Sequence, residues 1–269
     1  MPDPIISIRD LSVSYEGHQV LDRVNLDIRP NEVMVLLGGS GSGKSTLLRH
    51  LIGLERPSSG AVVVRGVDIN RCSAKDLRAV RRTIGVAFQE AALFNSLSTE
   101  ENVGLPLREL TELAKPVIEI MVFMKLAVVG LADAGKRLPH ELSGGMKKRA
   151  AVARAIALDP EILVFDEPSA GLDPIVSAEL DELILFLKRA FQMTIVVVTH
   201  EIASAFRIAD RMAMLYKGSL IAVDDKESFK TNQHPRIRQF LDRVPDHITD
   251  NTAVQVRLRE LAGIAGVVA

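Results

Sequence analysis

The spacing of apolar positions along the chain changes several times, and each change marks a different element. Leu11, Val13 and Tyr15 share one parity, and Val24, Leu26 and Ile28 repeat the alternation beyond Glu16-Gly17. A period of two on both sides of a turn predicts an antiparallel pair of strands. Val33–Leu37 is instead a continuous apolar run, as in a strand buried on both faces. A glycine loop and STLLRHLIGL follow, giving strand, loop and helix. Residues 57–70, PSSGAVVVRGVDIN, predict a turn and another strand pair. Residues 95–140 are rich in Leu, Glu, Lys and Met, with Pro106, Pro116 and Pro139 as breaks, and predict a small helical lobe. From Glu141 the pattern alternates: helix 146–158, strand 162–166, helix 175–190, strand 194–199, helix 201–209, strand 211–216. That succession predicts a doubly wound α/β core with a mainly parallel sheet. Short helical pieces and a tail, NTAVQVRLRELAGIAGVVA, follow Lys230.

Composition narrows the partners more than the fold. At 269 residues and 47% hydrophobic, the chain can bury a substantial core. Net charge is −1, which gives no support to a nucleic-acid partner, since such a partner selects for basic excess. The lone cysteine, Cys72, fits a reducing compartment. The N-terminus MPDPIISIRD lacks an apolar signal core, and the longest apolar runs fall far short of the roughly 18 residues that span a bilayer. The expectation is a soluble protein that reaches a membrane only through a partner.

Residues 38–46, GGSGSGKST, match G-x-x-x-x-G-K-[ST] between a predicted strand and helix, the context that pattern requires. This points to a P-loop NTPase core. Gly38, Gly39, Gly41 and Gly43, with Ser40 and Ser42 between them, let backbone N–H groups turn inward around phosphate oxygens. The following helix adds its positive end. Lys44 is placed to reach the β- and γ-phosphates, Ser45 to ligate Mg²⁺, and Thr46 continues the motif. The plain alternative is a flexible Gly/Ser turn.

ILVFDE, residues 162–167, ends a buried strand in two carboxylates. Open α/β sheets place ligands at that end of their strands. Asp166 is the candidate for Mg²⁺, and Glu167 for the general base or water-positioning group. Alone, the pair also reads as a surface opening to the loop EPSAGLDP. His200 follows the run TIVVVT directly, and is either a local helix-start histidine or a γ-phosphate contact that orients Glu167 or water. Gln89 follows IGVAF, where an amide can hold water or Mg²⁺ without adding charge.

LSGGM, residues 142–146, opens an Ala-rich helix. Ser143 sits at the N-cap, and Gly144 and Gly145 remove side chains that would block close approach. One cradle already serves the nucleotide, so a second anion site suggests a head-to-tail dimer. There the cradle of one subunit and the Ser-Gly-Gly of the other sandwich each ATP. The plain alternative is a capped helix start.

In this order and spacing, Tyr15, GGSGSGKST, Gln89, LSGGM, ILVFDE, the SAGLD loop with Asp173, and His200 resemble the ATP-binding-cassette ATPases over residues 5–230. The resemblance implies that Tyr15 stacks on adenine and that Asp173 belongs to the nucleotide site. It implies an N-terminal antiparallel β-subdomain and an inserted α-helical subdomain at about 95–160. It also implies that ATP closes a dimer, that hydrolysis reopens it, and that an integral membrane permease converts the cycle into transport. The usual signature is LSGGQ. Met146 departs from it at a position near the ribose, where a flexible thioether can pack.

FQEAALFNSLSTEENVGLPLRE and PRIRQFLD are similar to the ATPase subunits that serve MCE-protein lipid transporters. That branch implies an MlaE-type permease, an MCE-domain protein and other Mla-like components. It implies phospholipid transport for outer-membrane lipid asymmetry, with the ATPase peripheral on the cytoplasmic face of the inner membrane. An amino acid or methionine importer uses the same engine, although usually with LSGGQ. DNA-repair ATPases insert long coiled coils that this chain lacks, and translation factors carry two cassettes. Residues 231–269 are left as an extension. In it, Leu258, Leu261 and Ile264 recur at helical spacing, either to fold back on the chain or to tether the dimer.

Overall fold

A computed structural model describes residues 3–245; the tether expectation falls on 246–269 and lies outside the described residues. The chain divides into two compact units, Met1–Thr231 and Asn232–Ala269.

The first unit opens on β1 (Ile6–Tyr15) and β2 (His18–Ile28), paired antiparallel across Glu16-Gly17, both left-handed at φ 49° and 82°. That turn matches the twist of the strands it joins. The buried parity is not constant along β1: Ile6 and Ile8 face the core, then Leu11 and Val13. A bulge at Asp10, φ 45°, supplies the extra residue, and Arg23, φ 42°, does the same in β2. β3 (Val33–Leu37) is buried at every position. After it come α1 (Lys44–Leu51), β4 (Ser59–Val64), β5 (Val67–Asp68), α2 (Ala74–Arg82) and β6 (Ile84–Ala87).

The lobe consists of α3 (Thr99–Leu110), α4 (Lys115–Val128), two short 3₁₀ turns at 132–134 and 139–141, and α5 (Gly144–Ala155). Pro116 starts α4, as expected of a break, but Pro106 lies inside α3. An interior proline costs about 3 kcal/mol of helix stability. Here a capping box offsets that cost: Ser98 accepts from the Glu101 N–H at 3.3 Å, and Glu101 accepts from the Ser98 N–H at 2.7 Å. The buried Val103 and Leu107 anchor the same helix. Buried Asn102 satisfies the loop before it, accepting from Phe94 N at 2.8 Å and donating to the Phe94, Leu97 and Ser98 carbonyls.

The chain then runs through β7 (Ile162–Asp166), α6 (Pro174–Phe191), β8 (Thr194–Thr199), α7 (Ile202–Ile208), β9 (Arg211–Tyr216), β10 (Ser219–Asp225) and α8 (Lys226–Thr231). The second unit contributes α9 (Pro235–Leu241). One sheet orders β2-β1-β4-β5 antiparallel; the other orders β10-β9-β3-β8-β7-β6, parallel from β9 to β6 with β10 antiparallel at the edge. Neither α2 nor β10 stood out in the apolar pattern.

The second sheet positions the site. Register pairs Leu37 with Thr199 and Asp166 with Val198. The carboxyl ends of β3, β8 and β7 therefore stop together, delivering Gly38, His200 and the Asp166–Glu167 pair to one edge.

Candidate functional site

The loop from β3 to α1 folds around its own lysine. Lys44 Nζ donates to the Gly38 carbonyl at 2.8 Å and the Gly39 carbonyl at 3.1 Å. Its four glycines divide into two kinds. A Cβ on Gly38 would stand 2.4 Å from the Leu215 carbonyl oxygen, and one on Gly43 would stand 2.7 Å from Leu21 Cδ2. Those two are demanded by the protein's own packing. A Cβ on Gly39 or Gly41 would meet nothing within 4 Å. Their bare backbone, with exposed Ser40, borders open space. The Gly43 N-cap of α1 has no side-chain cap, and its first turn has no acid, so its N–H groups remain for an anion. Ser45 is exposed and Thr46 half-buried in that turn, while the Ser42 hydroxyl is buried without a partner.

Facing the cradle are the two acids. Burial, and then the Glu167 charge, push Asp166 above the ordinary carboxylate range. Its Oδ1 is buried and lacks a hydrogen-bond partner. A buried acid oxygen left without a hydrogen-bond partner at the end of β7 fits a hard divalent cation. Among the described residues no group of three or more His, Cys, Asp and Glu forms a metal cage. Burial also lowers the Lys44 ammonium's pKa, against the pull of Glu167 and Asp166.

Glu167 is left-handed at φ 46°, a conformation costing about 1–2 kcal/mol for a residue with a side chain. Its N–H donates to the Val198 carbonyl at 2.8 Å, pinning it to β8. One carboxylate oxygen lies 3.9 Å from Lys44 Nζ. The other faces His200, 2.9 Å from Nδ1 and 3.3 Å from the backbone N. The structure thus brings Lys44, Asp166, Glu167 and His200 together, with His200 directly on Glu167.

The other expected residues make contacts of their own. The Gln89 side chain is exposed, and its carbonyl accepts from Lys148. Ser143 caps α5, accepting from the Met146 N–H at 3.3 Å. Asp173 caps α6, accepting from the Ile175 and Val176 N–H groups at 3.0 Å. Gly144 and Gly145 are not equivalent. A Cβ on Gly144 would touch Leu172 at an ordinary 3.6 Å, whereas one on Gly145 would strike Val176 Cγ1 at 2.6 Å. Only Gly144 is bare without an internal packing reason. Tyr15 is exposed, and its hydroxyl donates to Glu55, which lies 3.6 Å from Arg49.

Glu55, Lys148 and Arg154 escaped the sequence reading. The run KKR after the signature was the only hint of Lys148; nothing local marks Arg154 or Glu55.

A family model described as "ABC transporter" matches residues 21–170. The chain belongs to the ABC transporter family. This ABC ATPase is 43% identical over 236 residues to the "Probable ribonucleotide transport ATP-binding protein mkl" of Mycobacterium leprae, covering 88% of this chain and 68% of that protein. The mkl protein of Mycobacterium tuberculosis (strain H37Rv) is 44% identical, with 66% of its length covered. The chain thus spans about two thirds of the mycobacterial relatives. It is 39% identical over 242 residues to the "Intermembrane phospholipid transport system ATP-binding protein MlaF" of Escherichia coli (strain K12), covering 90% of each. Among solved structures it is similar to the dimeric cassette MJ0796 in a post-hydrolysis state bound to ADP and Pi, with TM-score 0.76, 30% identity, and 82% of this chain and 98% of that one covered. The cassette cbiO1 of Clostridium perfringens gives TM-score 0.79 at 30% identity, covering 90% of this chain and 98% of that one. The ABC ATPase hydrolyses ATP with Mg²⁺, and its homologues work as dimers with a membrane permease.

Proposed function

We propose that this ABC ATPase powers phospholipid transport through an MlaE-type permease, together with an MCE-domain protein and other Mla-like components. It would sit peripherally on the cytoplasmic face of the inner membrane and serve outer-membrane lipid asymmetry. The observation that carries this reading is the similarity to MlaF over 90% of both chains. No helix among the described residues is long and apolar enough to cross a membrane, so attachment through a permease is in keeping with it.

The catalytic assignment follows the geometry. Glu167 is the water-positioning base, oriented by His200 and held near Lys44. Lys44, the Gly38–Gly43 backbone, Ser45 and Thr46 hold the triphosphate, and Tyr15 stacks on adenine. Ser45, Asp166 and Gln89 would hold Mg²⁺, which would supply neutralising charge at the phosphates when bound. Ser143, Gly144 and Gly145 serve the nucleotide of a second copy of the chain, with Asp173 at the same junction. The ABC ATPase domain is residues 5–230, with its helical subdomain at about 95–160 and residues 231–269 as an extension.

A second reading, a small-solute importer, is favoured by the higher identity to mkl, whose name specifies ribonucleotides. Purifying the full-length chain with its co-expressed membrane partners, and identifying what is bound by mass spectrometry, separates the two. Phospholipid is expected. A solute-loaded complex without specific lipid would overturn the lipid reading.

A further inference from the structure

The loop after β6 carries an unusual backbone. Ala91 and Ala92 are both left-handed, at φ 60° and 49°. Neither is glycine, and in that region a Cβ crowds the following carbonyl. Two adjacent residues of this kind persist only where the surroundings hold them.

α5 supplies that hold. Arg154 donates Nη1 to the Ala92 carbonyl at 2.6 Å and Nη2 to the Ala91 carbonyl at 2.8 Å. The planar guanidinium presents its two N–H groups in a fixed fork, one to each of the two neighbouring carbonyl oxygens. Lys148 donates to the Gln89 carbonyl and stands 3.4 Å from the Glu167 carbonyl. One helix therefore grips the backbone of the Gln89 loop at three residues and touches Glu167 at a fourth. Ser143 caps the same helix at its start.

We propose that Lys148 and Arg154 are positioning residues for hydrolysis, clamping the strained Gln89 loop so that Gln89 and Glu167 are both registered to α5. Any shift of α5 then pulls on Gln89 and Glu167 together, since one ammonium spans both carbonyls. The inference rests on the assignment of Glu167 and Gln89 made above.

The test uses the full-length chain assembled with its membrane partners. Lys148→Met keeps the stem and removes the donor. It is expected to lower kcat on the order of tenfold, as loss of positioning does, with KM for ATP unchanged. Lys148→Arg, which keeps a donor, should retain most of the rate. Arg154→Lys loses the fork on Ala91 and Ala92 and should also slow turnover, and adding Ala91→Gly and Ala92→Gly to it should restore at least half of that loss, because glycine adopts the left-handed region unaided. A merely structural arginine would not be rescued that way. Where Lys148→Met does not assemble, Arg154→Lys provides the second arm. It keeps the charge and should speed amide hydrogen exchange across residues 91–94. The clamp is overturned by a Lys148→Met kcat within twofold of the parent, by a slow Arg154→Lys that the glycines leave slow, or by unchanged exchange in Arg154→Lys. Glu167→Gln is run alongside. Normal turnover there sinks the site assignment, whereas its loss beside a normal Lys148→Met sinks the clamp alone.

Discussion

Alanine at Gly144 and alanine at Gly145 should behave oppositely, although the two glycines adjoin in one motif. At 145 the new Cβ would lie 2.6 Å from Val176 Cγ1. Val176 is in α6, where a valine has essentially one χ1 rotamer and cannot swing away. Overpacking of this kind costs about 1–3 kcal/mol. Replacing glycine in a helix returns at most about 0.5–1 kcal/mol. Gly145→Ala should therefore destabilise the nucleotide-free chain by on the order of 1 kcal/mol, or about 2–4 °C in unfolding midpoint. At 144 the Cβ would make an ordinary 3.6 Å contact with Leu172. Gly144→Ala should hold or slightly raise the midpoint, yet slow ATP hydrolysis, because the methyl intrudes where a partner's phosphate approaches. Thermal unfolding of the isolated chain, paired with ATPase assays on the assembled transporter, reads both. Equal destabilisation by the two variants, or full turnover in Gly144→Ala, would refute the reasoning.

Three further outcomes are expected. Glu167→Gln should keep ATP binding and lose about 10²–10⁴-fold of rate, as removal of a general base does, with steady-state hydrolysis as the readout. Met146→Gln should stay within about tenfold of parental turnover, roughly 1.4 kcal/mol in barrier; complete inactivity in a folded protein would show that Met146 packing is essential. Asp166→Asn should raise the unfolding midpoint of the nucleotide-free chain near pH 7 while abolishing Mg²⁺-dependent hydrolysis. The fold disfavours the charged form of Asp166, so its contribution is intact below the ordinary carboxylate pKa and is lost as pH rises through the raised folded value. A lowered midpoint in Asp166→Asn would reverse that sign.

Where a strand is buried on both faces, composition alone reveals it: β3, β7, β8 and β9 run where continuous apolar stretches stood between turn residues. β10 escaped because an antiparallel edge strand is only half-buried along its length and has no clean period. α2 escaped because it buries Val80 alone; its signal was the Ser73 cap on the Asp76 N–H at 3.1 Å. Pro106 misled because interior proline is usually a break, and here capping and packing outweigh it. The cradle and the Asp166–Glu167 pair stood out as candidates because bare backbone before a lysine, and two carboxylates ending a buried strand, are local patterns in the chain. Lys148 and Arg154 were not, because a long cation on a basic helix shows its purpose only when the fold brings the 89–92 carbonyls beneath it.

On the proposed function, each ATP is closed between the cradle of one copy and the Ser143–Gly145 segment of another. The most direct measurement is the mass of full-length Glu167→Gln with ATP and Mg²⁺, by light scattering coupled to nucleotide counting. An ATP-dependent particle of two chains and two ATP is expected, which Gly144→Asp in the same background abolishes while the separate chains still bind ATP. An ATP-loaded single chain, or a dimer indifferent to Gly144→Asp, would contradict it.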